Sequence, residues 1–191
     1  YYIKGYEDAT GLFPLTSKEI DLINIRYVIP GRSIQIAHAQ KYSSPIRYMF
    51  PNSLNEAGWQ IYVGQMILNK EYGDWDEEYH ILKMKEELIV ICHAFIEDQY
   101  YSGEMTRKDA LLYMRKQAFL NNSEAEAIMM QSDVHYFSGT QAFIGMLEIQ
   151  SLLKEYKKIA GKEFNIIQFH KDILENGIIP FYHLKKKLLS Q

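Results

Sequence analysis

The sequence lacks the features that mark disulfide-rich, disordered, nucleic-acid-binding and membrane-spanning proteins. A single cysteine, Cys92, excludes an internal disulfide bond and any cysteine-based zinc knuckle within one chain. The chain has only 5 prolines and 11 glycines and is 47% hydrophobic, which excludes a disordered tail or a fibrous protein. The formal net charge of -3 offers no positive field to polyphosphate, so no nucleic acid partner is expected. No apolar run reaches the roughly 18 residues that a membrane-spanning helix needs, so no membrane span is expected.

The commonest catalytic motifs are also missing. The chain has no Gly-x-Ser-x-Gly elbow, no Walker loop and no Gly-x-Gly-x-x-Gly turn. Its histidines are His38, His80, His93, His135, His170 and His183. No two of them are four residues apart, so the His-Glu-x-x-His zinc motif is absent. Histidines scattered in this way are typical of surface or satisfied core positions, and a metal site assembled from distant segments is the alternative.

Apolar residues recur at the helical period along most of the chain. The longest pattern lies between residues 76 and 99, where steps of three and four residues predict an amphipathic helix. Its members are Ile81, Met84, Leu88, Cys92, Phe95 and Gln99. Caps and helix breakers predict further helices at about residues 54–72, 140–160, 165–176 and 180–189. Capping-box spacings occur at Thr16 with Glu19, at Ser123 with Glu126 and, with a shorter side chain, at Thr106 with Asp109.

These patterns predict an all-α fold of about seven or eight helices, because the alternation typical of strands is never sustained. No internal repeat or shift in composition marks a domain boundary, so residues 1–191 are predicted to form a single helical domain. The irregular opening, residues 1–15, is expected to lie across the helical body.

Two residue pairs on the longest predicted helix are candidates for catalysis. Cys92 and His93 would point about 100° apart, which is poor geometry for a nucleophile and its base, so Cys92 is predicted to be a core residue. His93 and Glu97 are four residues apart and are predicted to stabilise the helix as a pair.

Two short segments interrupt the predicted helices, and ligand sites are often built at such interruptions. Residues 29–35 read Ile-Pro-Gly-Arg-Ser-Ile-Gln, which ends one helix and starts another. Residues 55–62 read Asn-Glu-Ala-Gly-Trp-Gln-Ile-Tyr and follow a short loop that proline bounds.

At these segments the chain resembles the bacterial family called domain of unknown function 885, a family of metallopeptidase-like proteins and lipoproteins. The family motif His-Glu-x-x-Pro-Gly-His-His-Leu-Gln corresponds to residues 26–35, and its Glu-Gly-Trp-Ala-x-Tyr corresponds to residues 57–62. Weaker matches in the family order lie at 44–47, between these two segments, and after them at 105–110, 145–149 and 164–170. The resemblance covers nearly the whole chain and implies a mainly helical, gluzincin-like region. Because family members are longer, it also implies that this chain is the C-terminal part of a longer architecture.

The residues at the functional positions of the family motif differ. The motif histidines fall on Arg26, Arg32 and Ser33, the catalytic glutamate on Tyr27, and the glutamate of Glu-Gly-Trp on Ala57. Zinc in such a site needs imidazole nitrogens and carboxylate oxygens, and a further carboxylate as the general base. Arginine stays protonated and has no lone pair to donate. The resemblance therefore implies no catalytic residue, no metal ligand and no bound zinc here.

These substitutions predict a catalytically degenerate scaffold, or pseudoenzyme. If the ancestral cleft persists, its lining is expected to include Arg26, Tyr27, Arg32, Trp59 and Tyr62. Guanidinium groups over aromatic walls suit a peptide or another carboxylated ligand. In the alternative, the two arginines pair with local acids such as Asp21 or Glu56 and have a structural role only.

Two other classes of function remain open at this stage. The chain is an active metal-dependent hydrolase if ligands come from His38, His93 or His135, or from an upstream region. It is an interaction or assembly module if its helical faces dock an upstream protein region, and a large exposed apolar patch would favour this function. The resemblance also suggests the bacterial cell envelope or periplasm, although no signal for either occurs in the chain.

Overall fold

The computed structural model describes residues 15–69 and 75–189, and this part of the chain consists of helices and their connecting loops, without a strand. The helices are α1 (Ser17–Tyr27), α2 (Arg32–Tyr42), α3 (Pro45–Met49), α4 (Ser53–Asn69), α5 (Glu77–Tyr101), α6 (Arg107–Gln117), α7 (Asn122–Val134), α8 (Ser138–Ala160), α9 (Ile166–Glu175) and α10 (Phe181–Leu189), with a 3₁₀ turn at Gly161–Glu163. The all-α prediction is confirmed. The expectation for residues 1–15 falls almost entirely outside the described residues.

The chain divides into two compact units. The first unit contains the described residues of Tyr1–Asp21 together with Asp76–Thr140, and the second contains Leu22–Trp75 with Gln141–Gln191. One boundary falls inside α1, one lies between Trp75 and Asp76 just before α5, and one falls inside α8. The single-domain prediction for residues 1–191 stays a prediction.

Two of the three capping pairs that the sequence predicts are present at helix starts. Thr16 and Glu19 form a reciprocal box, in which each backbone N–H donates to the other side chain over 2.8 and 3.2 Å. The Thr106 hydroxyl accepts the N–H of Asp109 at the start of α6. The predicted box at Ser123 with Glu126 is wrong.

The box at the start of α7 lies two residues earlier. Asn121 is the N-cap, its side chain accepts the N–H of Glu124, and the Glu124 carboxylate accepts the N–H of Asn121 in return. An asparagine side chain caps a helix as well as serine does, so the Ser-x-x-Glu pattern selected the wrong one of two overlapping candidates.

The core of the first unit is formed by small and flexible side chains of α5, α6 and α7. Its buried members are Cys92, Ile96, Ala110, Met114, Ala118, Leu120, Ala125 and Met129. Cys92 is therefore a core residue, as predicted, and burial raises the pKa of its thiol.

The second unit has a larger and more aromatic core. Its buried members are Trp59, Tyr62, Val63, Ile149, Leu152, Phe169, Ile173, Leu174, Ile179, Phe181, Leu184 and Leu188. Helices α4 and α8 approach closely where two glycines face each other, because a Cβ on Gly58 would lie 2.2 Å from the carbonyl carbon of Gly145. This contact fixes the part of α4 that carries the Gly-Trp motif.

Candidate functional site

The helix break between α1 and α2 is a tightly closed turn. The Ile29–Pro30 peptide bond is cis, and Gly31 is the N-cap of α2. A Cβ at Gly31 would lie 1.8 Å from the carbonyl oxygen of Arg26, so no larger residue fits at this position. The Ser33 hydroxyl donates to the carbonyl oxygen of Tyr27 over 2.9 Å and closes the turn from the other side.

Helix α4 anchors this turn through its tryptophan. The indole N–H of Trp59 donates to the carbonyl oxygen of Pro30 over 3.1 Å. Trp59 is 1% exposed and Tyr62 is 4% exposed, so both side chains are part of the interior of the second unit. That Trp59 and Tyr62 line a ligand cleft stays a prediction.

The two arginines of the predicted site have different surroundings. The guanidinium of Arg32 is held by Glu56 of α4, with 2.5 Å between Nε and Oε1, and the Arg32 side chain is 48% exposed. This is the local pairing that the sequence offered as the alternative to ligand binding. Arg26 is partly buried, and its guanidinium carbon lies 5.8 Å from the centre of the Tyr27 ring. Its side chain also runs beside Gly64, where an added Cβ would lie 3.3 Å from Cγ.

The sequence analysis assigned no role to His170, which packs against the predicted aromatic residues. Its Nε2 lies 2.8 Å from the hydroxyl oxygen of Tyr62, and its ring meets those of Trp59 and Tyr62 edge-on. Burial lowers the pKa of His170 to about 4, because the charged imidazolium would lose its hydration. The ring is therefore neutral at pH 7, and the only signal for it was its place in the segment 164–170.

A buried amide pair, which the sequence analysis also missed, joins α2 to α4. The Gln35 side chain donates to the side-chain oxygen of Asn55 over 3.1 Å, and Asn55 donates to the carbonyl oxygen of Ile179 over 2.7 Å. Gln35 and Asn55 are 3% and 1% exposed. Among the residues that the structure describes, Gln35 Oε1 and His38 Nδ1 are buried without a hydrogen-bond partner.

The densest polar cluster lies in the first unit, around the carboxylate of Glu97. Glu97 is 1% exposed and accepts the backbone N–H groups of Gly139 and Thr140 over 3.2 and 2.8 Å. The hydroxyls of Thr140 and Ser132 donate to it over 2.9 and 3.1 Å. His93 Nε2 lies 3.2 Å from Glu97 Oε1. The carboxylate thereby satisfies the first N–H groups of α8, which have no partner inside that helix.

Burial opposes the ionisation of Glu97, but these hydrogen bonds outweigh it. Donation from His93 and from Thr140 lowers the pKa of Glu97 to about 2. The predicted His93–Glu97 pair exists, and it does more than stabilise its own helix, since the same carboxylate caps α8.

The His93, Ser132 and Glu97 side chains do not form a catalytic triad. Ser132 Oγ and Glu97 Oε1 both lie near His93 Nε2, at 2.8 and 3.2 Å. A triad needs the acid on one ring nitrogen and the nucleophile on the other, so that the imidazole can pass a proton between them. All three side chains are also buried. The cluster is suited to capping a helix.

The described residues offer neither a cluster of metal ligands nor a membrane-spanning helix. Within residues 15–69 and 75–189 no group of three or more His, Cys, Asp or Glu side chains is placed to hold a metal ion. In the same ranges, no helix is long and apolar enough to span a bilayer.

Comparisons with known proteins give a family and a fold. A family model described as "Bacterial protein of unknown function (DUF885)" matches residues 6–188. A solved structure from Shewanella oneidensis, described as "a putative lipoprotein of unknown function", is 26% identical, with a TM-score of 0.83 over 97% of this chain. A second, described as "the putative lipoprotein from Colwellia psychrerythraea", is 23% identical with a TM-score of 0.82 over 90% of this chain, and at that identity it shows the fold alone.

This chain spans only part of either structure, 38% of the first and 30% of the second. No curated protein matches it significantly.

Proposed function

Because the chain belongs to the family of bacterial proteins of unknown function DUF885, we propose that it is a catalytically degenerate, metallopeptidase-like scaffold that binds a peptide carboxylate without cleaving it. The half-exposed guanidinium of Arg32, at a position of the family's motif, is the observation that carries this proposal. The proposed function is ligand binding by this group, without catalysis.

Arg32 is suited to a carboxylate because its pairing inside the protein is incomplete. Glu56 engages only Nε. Among the described residues, the two terminal nitrogens of Arg32 therefore have no protein acceptor. A guanidinium presents its N–H groups as a planar fork that matches both oxygens of a carboxylate. A ligand carboxylate can bind those nitrogens while Glu56 holds the side chain in place.

The residues at the motif positions support the absence of hydrolysis. Arg26 and Arg32 bring positive charge where a divalent cation would need lone pairs, and Tyr27 stands where the general base would be. Ser33 lies at the position of another motif histidine, and its hydroxyl donates a hydrogen bond to the carbonyl oxygen of Tyr27. These residues have packing and hydrogen-bonding roles that need no metal.

The test compares two probes, N-acetyl-dialanine and the same peptide with an amidated C-terminus. Binding is followed by the indole N–H signals in ¹⁵N NMR spectra, since the chain has 2 tryptophans and the Trp59 indole bonds to the turn beside Arg32. The free acid should bind with a dissociation constant on the order of 1 mM, or about 4 kcal/mol, and the amide should not bind.

Matched variants assign that binding to its residue. Arg32→Ala should abolish it, whereas Arg115→Ala, an exposed arginine of the first unit, should leave it unchanged. Equal binding of the acid and the amide would refute the proposal. So would unchanged binding by an Arg26→Ala, Arg32→Ala double variant of lowered stability, which would leave the arginines a structural role only.

The alternative, an active metal-dependent hydrolase with relocated ligands, is tested by its metal content. Elemental analysis of protein without a histidine tag, before and after exposure to zinc, should find close to zero zinc per chain if the motif is degenerate. One tightly held zinc, with cleavage of the probe peptide, would overturn the proposal and make His38, His93 and His135 the residues to mutate.

A second candidate function is the interaction module that the sequence left open. The observation that favours it is a row of apolar side chains on α5, led by Ile81 and Met84, which are 60% and 54% exposed. Contiguous exposed apolar surface on a soluble domain marks an interaction site.

We also propose that the protein acts at the bacterial cell envelope. The support is that both similar structures are described as putative lipoproteins. Fractionation of the source cells, with detection of the native protein, tests this location, and recovery only with cytosolic markers would contradict it.

A further inference from the structure

The second unit carries a positive charge that the net charge of the whole chain does not reveal. Its residues, Leu22–Trp75 and Gln141–Gln191, contain 13 lysines and arginines against 8 aspartates and glutamates. The first unit contains 8 against 16. The chain therefore combines an acidic unit with a basic one, and a negatively charged partner is attracted to the second unit.

Most lysines of the last three helices have no acidic partner. Helices α8, α9 and α10, with the 3₁₀ turn between the first two, carry eight lysines. Lys171 lies 4.0 Å from Glu175, and Lys185 lies 2.8 Å from Glu148. Among the described residues, the other six lysines form no ion pair, and all six are exposed: Lys154, Lys157, Lys158, Lys162, Lys186 and Lys187. Their charge is available to an external partner.

Four of these six lysines lie at the end of α8. Lys154, Lys157 and Lys158 are three and four residues apart, so they share the solvent-facing side of the helix. Lys162 lies about one helical turn beyond Lys158, in the 3₁₀ turn that follows α8. The four ammonium groups therefore follow one another toward the connection between α8 and α9.

Two acids in the same stretch reduce this charge without pairing with the lysines. Glu155 accepts the hydroxyl of Ser151 over 3.2 Å, and Glu163 lies in the 3₁₀ turn. Residues 154–163 have four lysines against these two glutamates, so a net charge of +2 remains.

The lysine run of α10 adds to the positive charge beside α8. The pair of Lys185 with Glu148 holds this run against α8, about 9 Å along the helix axis from Lys154. Glu148 compensates Lys185 only, so Lys186 and Lys187 keep their charge.

Two isoleucines are exposed at the same end of α8. Ile159, in the last turn of α8, is 57% exposed, and Ile167, in the first turn of α9, is 74% exposed. The two helices lie side by side, because the Tyr156 hydroxyl of α8 donates to the Asp172 carboxylate of α9 over 3.0 Å. The short turn between them therefore brings both isoleucines to one end of the pair. We name the following residues the basic tip: Lys154, Lys157, Lys158, Ile159, Lys162 and Ile167.

We infer that the basic tip is a docking site for the anionic phospholipid surface of a bilayer. The lysines bind lipid phosphates through long, flexible side chains, and the isoleucines enter the boundary between the head groups and the acyl chains. A soluble polyanion would match the charge but would leave the isoleucines in water. The cell-envelope location proposed above favours a bilayer as the partner. The inference does not depend on the carboxylate site at Arg32.

The test measures co-sedimentation of the full chain with two sets of lipid vesicles. One set is phosphatidylcholine alone, and the other contains equal parts of phosphatidylcholine and phosphatidylglycerol. The chain should bind the second set roughly tenfold more tightly or better, and added salt should reduce the difference. Inorganic polyphosphate, which offers the charge without a bilayer, should bind more weakly at the same phosphate concentration.

Lysine variants assign the binding to the charge of the basic tip. Each lysine near an anionic surface contributes roughly fivefold in affinity, so a Lys158→Ala, Lys162→Ala double variant should bind the anionic vesicles roughly 25-fold more weakly. The matched control is Lys108→Ala with Lys116→Ala, which removes two exposed lysines of the first unit and should bind as the wild type does.

Isoleucine variants separate a bilayer from other anionic partners. An Ile159→Ser, Ile167→Ser double variant keeps the charge and should weaken binding to the anionic vesicles roughly tenfold, because serine gains little from leaving water. Ile46→Ser, at a position of α3 that is 72% exposed, is the control and should have no effect. Circular dichroism of each variant confirms that the helices persist.

Three results would overturn the inference. Equal binding to the two sets of vesicles would exclude an anionic surface as the partner. Binding that survives the lysine double variant would exclude the basic tip as the docking site. Binding that survives the serine double variant, or equally tight binding of polyphosphate, would show a general polyanion surface instead of a bilayer site. None of these results bears on the carboxylate site, which its own peptide probes test.

Discussion

Replacement of Glu97 by glutamine is the most direct test of the polar cluster in the first unit. The change keeps the shape of the side chain but removes the negative charge that accepts the N–H groups of Gly139 and Thr140. One glutamine position becomes an NH₂ group that faces donors, so at least one N–H of α8 loses its acceptor in a buried place.

The magnitude follows from the pKa of Glu97, which hydrogen bonding lowers from 4.5 to about 2. A shift of this size corresponds to about 3 kcal/mol of unfolding free energy. Because the folded-state pKa is the lower one, the contribution is fully present above pH 4.5 and is lost as the pH falls from 4.5 to 2. The unfolded chain takes up the proton first.

The assay is urea unfolding of the wild type and of Glu97→Gln, followed by circular dichroism at several pH values between 7 and 3. At pH 7 the variant should be less stable by about 3 kcal/mol, and the difference should shrink steadily below pH 4.5. Hydrogen exchange should be faster at the amides of Gly139 and Thr140.

The control is Asp98→Asn, which removes a charge from the exposed neighbour on α5 and should change the unfolding free energy by less than about 0.5 kcal/mol. Equal effects of the two substitutions, or a Glu97→Gln effect that does not change with pH, would refute the capping role of Glu97.

Substitutions elsewhere test the second unit. Gly58→Ala would place a methyl group 2.2 Å from the carbonyl carbon of Gly145 and should lower the unfolding free energy by about 1–3 kcal/mol. Gly64→Ala meets only the flexible side chain of Arg26 at 3.3 Å, so it should be neutral or stabilising by up to about 1 kcal/mol. Thermal unfolding compares the two, and equal melting temperatures would contradict the close contact of α4 with α8. The pKa of His170 is about 4 in the folded state, so the ring stays neutral until the pH approaches 4. Its contribution to the unfolding free energy is therefore present above pH 6.5 and is lost as the pH falls toward 4. Between pH 6.5 and pH 4 the wild type should therefore lose up to about 3 kcal/mol of unfolding free energy, and His170→Gln should not show this loss. If urea unfolding finds the same change of unfolding free energy with pH in both proteins, the burial of the neutral ring is contradicted.

The sequence by itself determined the helices of this protein. Helix formation and capping depend on residues a few positions apart, so their signals are local. Local signals of this kind predicted the long helix α5, from its pattern between residues 76 and 99, and the caps at Thr16 and Thr106. The wrong cap at Ser123 shows the limit of such signals, because two acceptors two residues apart satisfy nearly the same pattern.

The tertiary structure alone decided which of these features meet. Periodicity identifies an apolar face but not its partner, so the same kind of pattern that buries Trp59 on α4 leaves Ile81 exposed on α5. The pairing of Arg32 with Glu56 was readable only as one of two alternatives. The roles of Glu97 and His170 depend on α8 and α4, which lie about forty and one hundred residues away in the chain. Such contacts, and the desolvation that sets the pKa values, arise only when distant segments pack together.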